Sequence, residues 1–186
     1  MSALEAFSTA RMQAERLRAE HEAEIYAMHQ NPRVMATLTK HGGTLSAAET
    51  TQWMQHHLDH WAQHGFGLWV FRNHAGDFIG RGGLVHTLAV GTAAIELAYG
   101  LLDTAWKQGL ATEMARVGVQ IGFEQLRLPE LVCFTLTTNL ASQRVMQKAG
   151  FRYERDFVHV GLPHVLYRIN ASQWQPTSIA CNLQQP

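Results

Sequence analysis

One helix pattern limits this chain more than any other feature. Leu110, Met114, Val117 and Ile121 recur at helical spacing, and beside them runs a second stripe, Ala111, Ala115, Gly118 and Gly122. The first stripe is an apolar face that must be buried. The second has almost no side-chain volume, so the helix axis can approach a sheet closely. A near-continuous apolar run, Leu131 to Thr137, follows. That is the pattern of a strand covered on both faces. The helix opens on Trp106-Lys107-Gln108-Gly109, a short turn with one glycine. Such a turn leaves backbone N–H groups unpaired at the positive end of the helix dipole. The result is an anion site whose usual occupant is phosphate. Taken alone, the turn is equally readable as a plain strand-to-helix connection. It is neither a Walker loop, lacking Gly-Lys-Ser/Thr, nor the dinucleotide fingerprint, lacking two further glycines.

The remaining pattern predicts one mixed sheet with helices on both faces. Residues 9–18 read as a first strand, with Arg11, Leu17 and Arg18 near its ends. Residues 19–30 read as a helix stopped at Asn31-Pro32, and 33–39 as a second short helix broken by His41-Gly42-Gly43. Ser46 and Glu49 form a capping box for a helix to about His64, ended by Gly65. Strands follow over Gly67–Arg72, Phe78–Thr87 and Ala94–Leu102, the first two joined by Asn73-His74-Ala75-Gly76-Asp77. Asn139 can cap a helix over 140–149 that Gly150 ends. Phe151–Val160 and His164–Ile169 form a closing hairpin around Gly161-Leu162-Pro163, and the tail from 175 to 186 reads as loosely held. The expected fold class is α/β (α+β), with six to seven mostly antiparallel strands. The expected organisation is a single domain over 1–186 with its core at about 9–170.

Composition excludes several classes. With 186 residues, 46% hydrophobic and 16% charged, the chain suits one globular domain. Its formal net charge at pH 7 is zero, so neither nucleic acid nor an anionic membrane is expected as a partner. There is no apolar run of membrane-spanning length and no signal-peptide pattern at the start. Cys133 lies in an apolar run and Cys181 in a polar tail, which does not suggest a disulfide framework. A cytoplasmic protein is expected. The 11 histidines make a metal worth testing. His56, His60 and His64 have helical metal-ligand spacing, yet no carboxylate motif accompanies them, so a structural role is favoured and no metal is expected.

A second segment gives the turn its meaning. Asn139-Leu140-Ala141-Ser142 and Lys148-Ala149-Gly150-Phe151 follow the turn downstream. Together the two segments resemble the GNAT N-acetyltransferase superfamily, and within it the RimJ/RimL-like branch. Ile95 to Leu101, His64 to Trp69 and Phe78 to Leu84 also resemble this branch, and the likeness spans roughly residues 9 to 170. One departure is Lys107, where the branch often has glycine.

The resemblance implies acetyl-CoA as cofactor, a primary amine (a protein N-terminus or a small molecule) as acceptor, and direct attack in a ternary complex. It implies splayed central strands, with the pantetheine arm between the strand ending at Leu101-Leu102 and the strand ending near Thr137. Lys107, Gln108, Gly109, Leu110, Ala111 and Thr112 would meet the pyrophosphate. Asn139 would bond the pantetheine, and Ser142 would sit near the sulfur. Family members occur as monomers and homodimers. An acyl-CoA-binding sensor without turnover is the alternative.

The chemistry needs a base, because the amine arrives mostly as ammonium. Glu96 is the first candidate; its plainer reading is an ion pair or a solvent-facing residue. His159 is the second, titrating near neutrality. Superfamily members often place a tyrosine acid seven residues after the asparagine, where this chain has Met146. Tyr99 and Tyr153 are alternatives near the acceptor end. Cys133 reads as an inert core thiol. Trp53, Trp61, Phe66 and Trp69 read mostly as core, with one or two walling the acceptor pocket.

Overall fold

The computed structural model describes residues 4–39, 42–176 and, for the backbone alone, 182–184. Cys181 and His41 lie outside the described residues. Two short strands come first, β1 (Ala6–Ser8) and β2 (Gln13–Arg16). The single strand expected over 9–18 is split by a turn. Thr9 N donates to Met12 O at 2.8 Å, and Met12 N donates to Thr9 Oγ1 at 3.1 Å. A 3-10 turn leads into α1 (Glu22–His29). Asn31 then caps α2 (Pro32–Met35), accepting from the amides of Arg33 and Val34.

The Ser46–Glu49 capping box starts α3 (Ala47–His64) as expected, and Gly65 ends it at φ +71°. Then come β3 (Leu68–Arg72), β4 (Phe78–Thr87) and β5 (Ala94–Leu101). Next are α4 (Leu110–Gln120), a π turn (Ile121–Gln125), β6 (Glu130–Leu136) and α5 (Leu140–Lys148). The chain closes with β7 (Arg152–His159), β8 (Leu162–Asn170) and β9 (Asn182–Gln184). The last hairpin turns at Val160 and Gly161, both at positive φ, so Leu162 and Pro163 already belong to β8. Of the tail, 182–184 pairs with β1, and 177–181 and 185–186 lie outside the described residues.

One nine-stranded sheet results, in the order β7-β8-β6-β5-β4-β3-β2-β1-β9. The mixed, mostly antiparallel sheet is as expected. The two strands beyond seven come from the split first strand and from β9. Among the described residues only β5 and β6 run parallel, and they are in register at one position, Glu96 opposite Val132. β4 and β5, by contrast, pair over eight positions from Gly80–Leu101 to Thr87–Ala94. The sheet therefore opens between β5 and β6 just past Glu96.

The small-residue stripe of α4 does what its volume allows. A Cβ on Gly118 would lie 2.5 Å from Leu97 Cδ1, and one on Gly82 would lie 2.5 Å from Met114 Sδ. Leu97 and Gly82 thus face α4. Strand alternation puts Arg81, Glu96, Ala98 and Gly100 on the opposite face. The helices α1 to α3 cover that face: Met28 and Leu38 abut Gly100, and Trp53 of α3 lies over Arg81. Among the described residues, no helix is long and apolar enough to cross a membrane.

Candidate active site

A cavity of about 970 Å³ occupies the opening between β5 and β6. At one end is the start of α4. Gly109 sits there at φ +80°, a left-handed position that favours glycine, and no side chain caps the helix. The first amide to bond back is Glu113 N, to Gly109 O at 3.2 Å. The amides of Leu110, Ala111 and Thr112 precede it and point into the opening, an unspent cradle for an anion.

Arg11 braces this loop from the far side. Its Nε donates to Glu113 Oε2 at 2.7 Å and its Nη1 to Gln108 O at 2.7 Å. Lys107 has φ +60°, a left-handed backbone that residues with a side chain seldom adopt. Trp106 Nε1 donates to Leu101 O at 3.0 Å, tying the loop to the end of β5. Asp103 ties it to α2, accepting from Arg33 at 2.8 Å and Asn31 at 2.9 Å.

At the other end is Glu96, where the strands part. Burial raises its pKa to about 7, and the Arg81 cation opposes that rise. What surface Glu96 retains belongs to the cavity wall. A carboxylate in this state exchanges protons near neutral pH, as a general base must.

Between the two ends stands a hydroxyl pair. Tyr99 Oη lies 2.9 Å from Ser142 Oγ and 3.2 Å from Ser142 O. Burial raises the Tyr99 phenol well above its ordinary value, so it stays protonated. Ser142 N donates to Asn139 Oδ1 at 3.2 Å, and Asn139 Nδ2 donates to Thr135 Oγ1 at 3.0 Å. The Asn139 side chain is thus engaged as the cap of α5.

Of the residues anticipated from sequence, Glu96, Leu101, Lys107, Gly109, Leu110, Ala111, Thr112, Asn139, Ser142 and His159 line this cavity, whereas Leu102 and Gln108 do not. Leu102 packs beside Val34 and Met35. His159 sits at the end of β7, 5.2 Å from the Phe134 ring and 5.4 Å from the His164 ring, centre to centre. Burial and the neighbouring His164 lower its pKa. Tyr153 is exposed and bonded to Asp156 at 3.0 Å, away from the cavity. Met146 is fully buried core. Cys133 is buried and also lines the cavity; burial, with Glu96 nearby, pushes its thiol pKa up. None of Trp53, Trp61, Phe66 and Trp69 lines the wall, which is made by Val34, Thr37 and Leu38 instead.

A model of the acetyltransferase (GNAT) domain matches residues 11–152. The chain belongs to the GNAT acetyltransferase family. Among relatives of this acetyltransferase, the FsC-acetyl coenzyme A-N(2)-transacetylase of Aspergillus fumigatus is 28% identical over 184 residues, 89% of this chain and 76% of that one. An acetyltransferase from Agrobacterium tumefaciens shares the fold, with TM-score 0.76 at 23% identity over 89% of this chain and 94% of that one. The spermidine N-acetyltransferase of Vibrio cholerae, solved with CoA and spermine, shares it too, with TM-score 0.70 at 15% identity over 87% and 96%.

Two features of this GNAT chain were beyond the sequence pattern. Arg81 lines the cavity with its side chain buried. The only hint was one arginine inside the otherwise apolar and glycine-rich run of β4. The histidine grouping also differs from the helical spacing. His60 and His64 gather with His86 from β4, their ring nitrogens within 4.8 Å of one another, and His56 is not in the group. Both His60 nitrogens are engaged, Nδ1 with Phe66 O at 2.9 Å and Nε2 with the His86 amide at 3.0 Å.

Proposed function

We propose that this chain is a RimJ/RimL-like N-acetyltransferase, a single cytoplasmic domain that transfers the acetyl group of acetyl-CoA to a primary amine. The observation that carries the reading is one cavity with an unspent amide cradle at one end and a half-buried carboxylate of raised pKa at the other. The cavity lies where β5 and β6 part, which leaves room for an extended pantetheine arm. The cradle amides of Leu110, Ala111 and Thr112, with Lys107, would hold the pyrophosphate, and Leu101, Asn139 and Ser142 would border the arm.

Bound there, acetyl-CoA supplies the acetyl group as a thioester. The ammonium first gives one proton to solvent, which frees the nitrogen lone pair; Glu96 then takes the second proton as the nitrogen bonds to the acetyl carbon, and passes it to solvent. β5 amides freed from strand pairing beyond Glu96 meet the oxygen that gains charge. The Tyr99–Ser142 pair donates a hydrogen bond to the departing sulfur, filling the role left vacant by Met146. Because a thiol has a pKa of about 8.5, a hydrogen bond suffices and the sulfur then takes its proton from solvent. His159 is the second candidate for the base. No step requires a metal.

The test is release of CoA thiol from acetyl-CoA with N-terminal peptides and small amines as acceptors. Saturable, acceptor-dependent release supports the reading. Tight acetyl-CoA binding with no release for any amine would favour an acyl-CoA sensor.

A further inference from the structure

Arg81 is a charge that the fold buries with no described side chain in ion-pair contact; the Glu96 carboxylate acts on it only from farther off. It is 8% exposed, and its Nε is sealed from solvent without a hydrogen-bond partner. No ion pair to it occurs among the described residues. Its guanidinium carbon stands 4.5 Å from the centre of the Trp53 ring, which fixes the plane of the fork. Burial pulls its pKa down to about 10, so the group remains charged at neutral pH. Nearby His29 and His57 offer no counter-charge: burial, with Arg81 adding to it, lowers them to about 4 and about 2.

A buried guanidinium without an acceptor is unfavourable until something completes it. The cofactor phosphates are poorly placed to do so. The amide cradle belongs to α4, and Arg81 projects from the opposite face of the sheet, the face that carries Glu96. Ala98 lies on that same face between them, a small side chain on the cavity wall, and Gly100, opposite Arg81, is covered by Met28 and Leu38. The charges of the wall point the same way. Of the cations lining the cavity, Arg33 is paired with Asp103 at 2.8 Å and Lys107 is assigned to the pyrophosphate, whereas Arg81 shares its face of the sheet with the one lining carboxylate, Glu96.

We propose that Arg81 receives a carboxylate of the acceptor, which makes the substrate a small molecule bearing both an amine and a carboxylate, of amino-acid type. The amine then lies toward Glu96 and the carboxylate meets the guanidinium in a two-pronged contact. A polyamine would bring several cations to a wall that has one carboxylate and an unpaired arginine. The inference rests on the reading of the cavity as an acetyltransferase site.

The experiment compares wild type and Arg81→Gln in two steps. Calorimetry first measures acetyl-CoA binding. CoA-thiol release is then measured with free L-amino acids, the matching L-amino acid amides, and spermidine. For the best acceptor, kcat/KM for the acid should exceed that for the amide at least tenfold. Arg81→Gln should bring this ratio close to one, with acetyl-CoA affinity within twofold of wild type. The ratio is the readout because any effect of Arg81 on Glu96 is common to acid and amide. If the glutamine variant does not fold, Arg81→Lys serves instead. It keeps the charge but lacks the planar fork, so the ratio should fall. An amide used as well as its acid, spermidine as the best acceptor, a ratio that survives the substitution, or no acid used by a protein that binds acetyl-CoA would each overturn the inference. Loss of acetyl-CoA binding in the wild type would instead overturn the acetyltransferase reading.

Discussion

The two ends of the cavity are built from different materials. The anion cradle is made of backbone: one left-handed glycine, three unpaired amides and a helix dipole, all within a few consecutive residues. The acceptor end is made of side chains from separate elements, Arg81 on β4 and Glu96 on β5, and the hydroxyl pair beside it joins Tyr99 of β5 to Ser142 of α5. The first can change most of its side chains and keep its function. The second depends on particular groups whose pKa values are set by what surrounds them. In the proposed reading the cradle fixes the cofactor class, whereas the acceptor end decides what is acetylated and how fast.

The sharpest break of this contrast is Glu96→Gln. Loss of a general base should lower kcat by about 10²- to 10⁴-fold. Acetyl-CoA affinity, read by calorimetry, should stay unchanged, because the cradle is untouched. In the wild type, log kcat/KM should rise with pH, lose slope near 7 as Glu96 ionises, and keep rising toward the acceptor amine's own pKa; Glu96→Gln should lack the break near 7. Stability should run the other way. The folded-state pKa of Glu96 lies above its ordinary 4.5, so its stabilising contribution is complete below that value and lost as pH rises through about 7. Thermal melting should show Glu96→Gln gaining on wild type at pH 8 and not at pH 4.

Next in size is Tyr99→Phe, which removes the partner of Ser142. A single hydrogen bond to the leaving sulfur corresponds to a fall of about tenfold in kcat, measured by steady-state thiol release. An equal rate for Tyr99→Phe and wild type would remove the pair from the chemistry.

The smallest effect is expected at the cradle's one non-glycine strain. Lys107→Gly should raise stability by about 1 kcal/mol, because glycine adopts the left-handed backbone without penalty. It should also weaken acetyl-CoA binding a few-fold if the ammonium meets phosphate. Unfolding and titration of the same variant separate the two.

The same contrast explains what could be read from the sequence. The cradle, the capping box of α3 and the small-residue face of α4 depend on neighbours in the chain, so periodicity and turn chemistry reveal them. The split of the first strand depends on one threonine hydroxyl, Thr9 to the Met12 amide, which no alternation pattern records. The tail strand depends on a long-range pairing with β1. His86 joins His60 and His64 only because β4 passes the end of α3. The burial of Arg81 against Trp53 is made by tertiary packing alone. Glu96 was found as a residue, but its raised pKa comes from burial that the sequence does not display.

The most direct test of the account is calorimetric titration of acetyl-CoA into the wild type and into Gly109→Glu. A side chain at φ +80° is strained, and its Cβ would lie 3.5 Å from Arg11 Nη2, so a carboxylate there would draw Arg11 from Glu113 and Gln108 and distort the loop that shapes the cradle. Saturable binding to the wild type, weakened at least about 100-fold in a variant that still melts cooperatively, is the predicted result. No binding to folded wild type, or equal binding by both proteins, would contradict it.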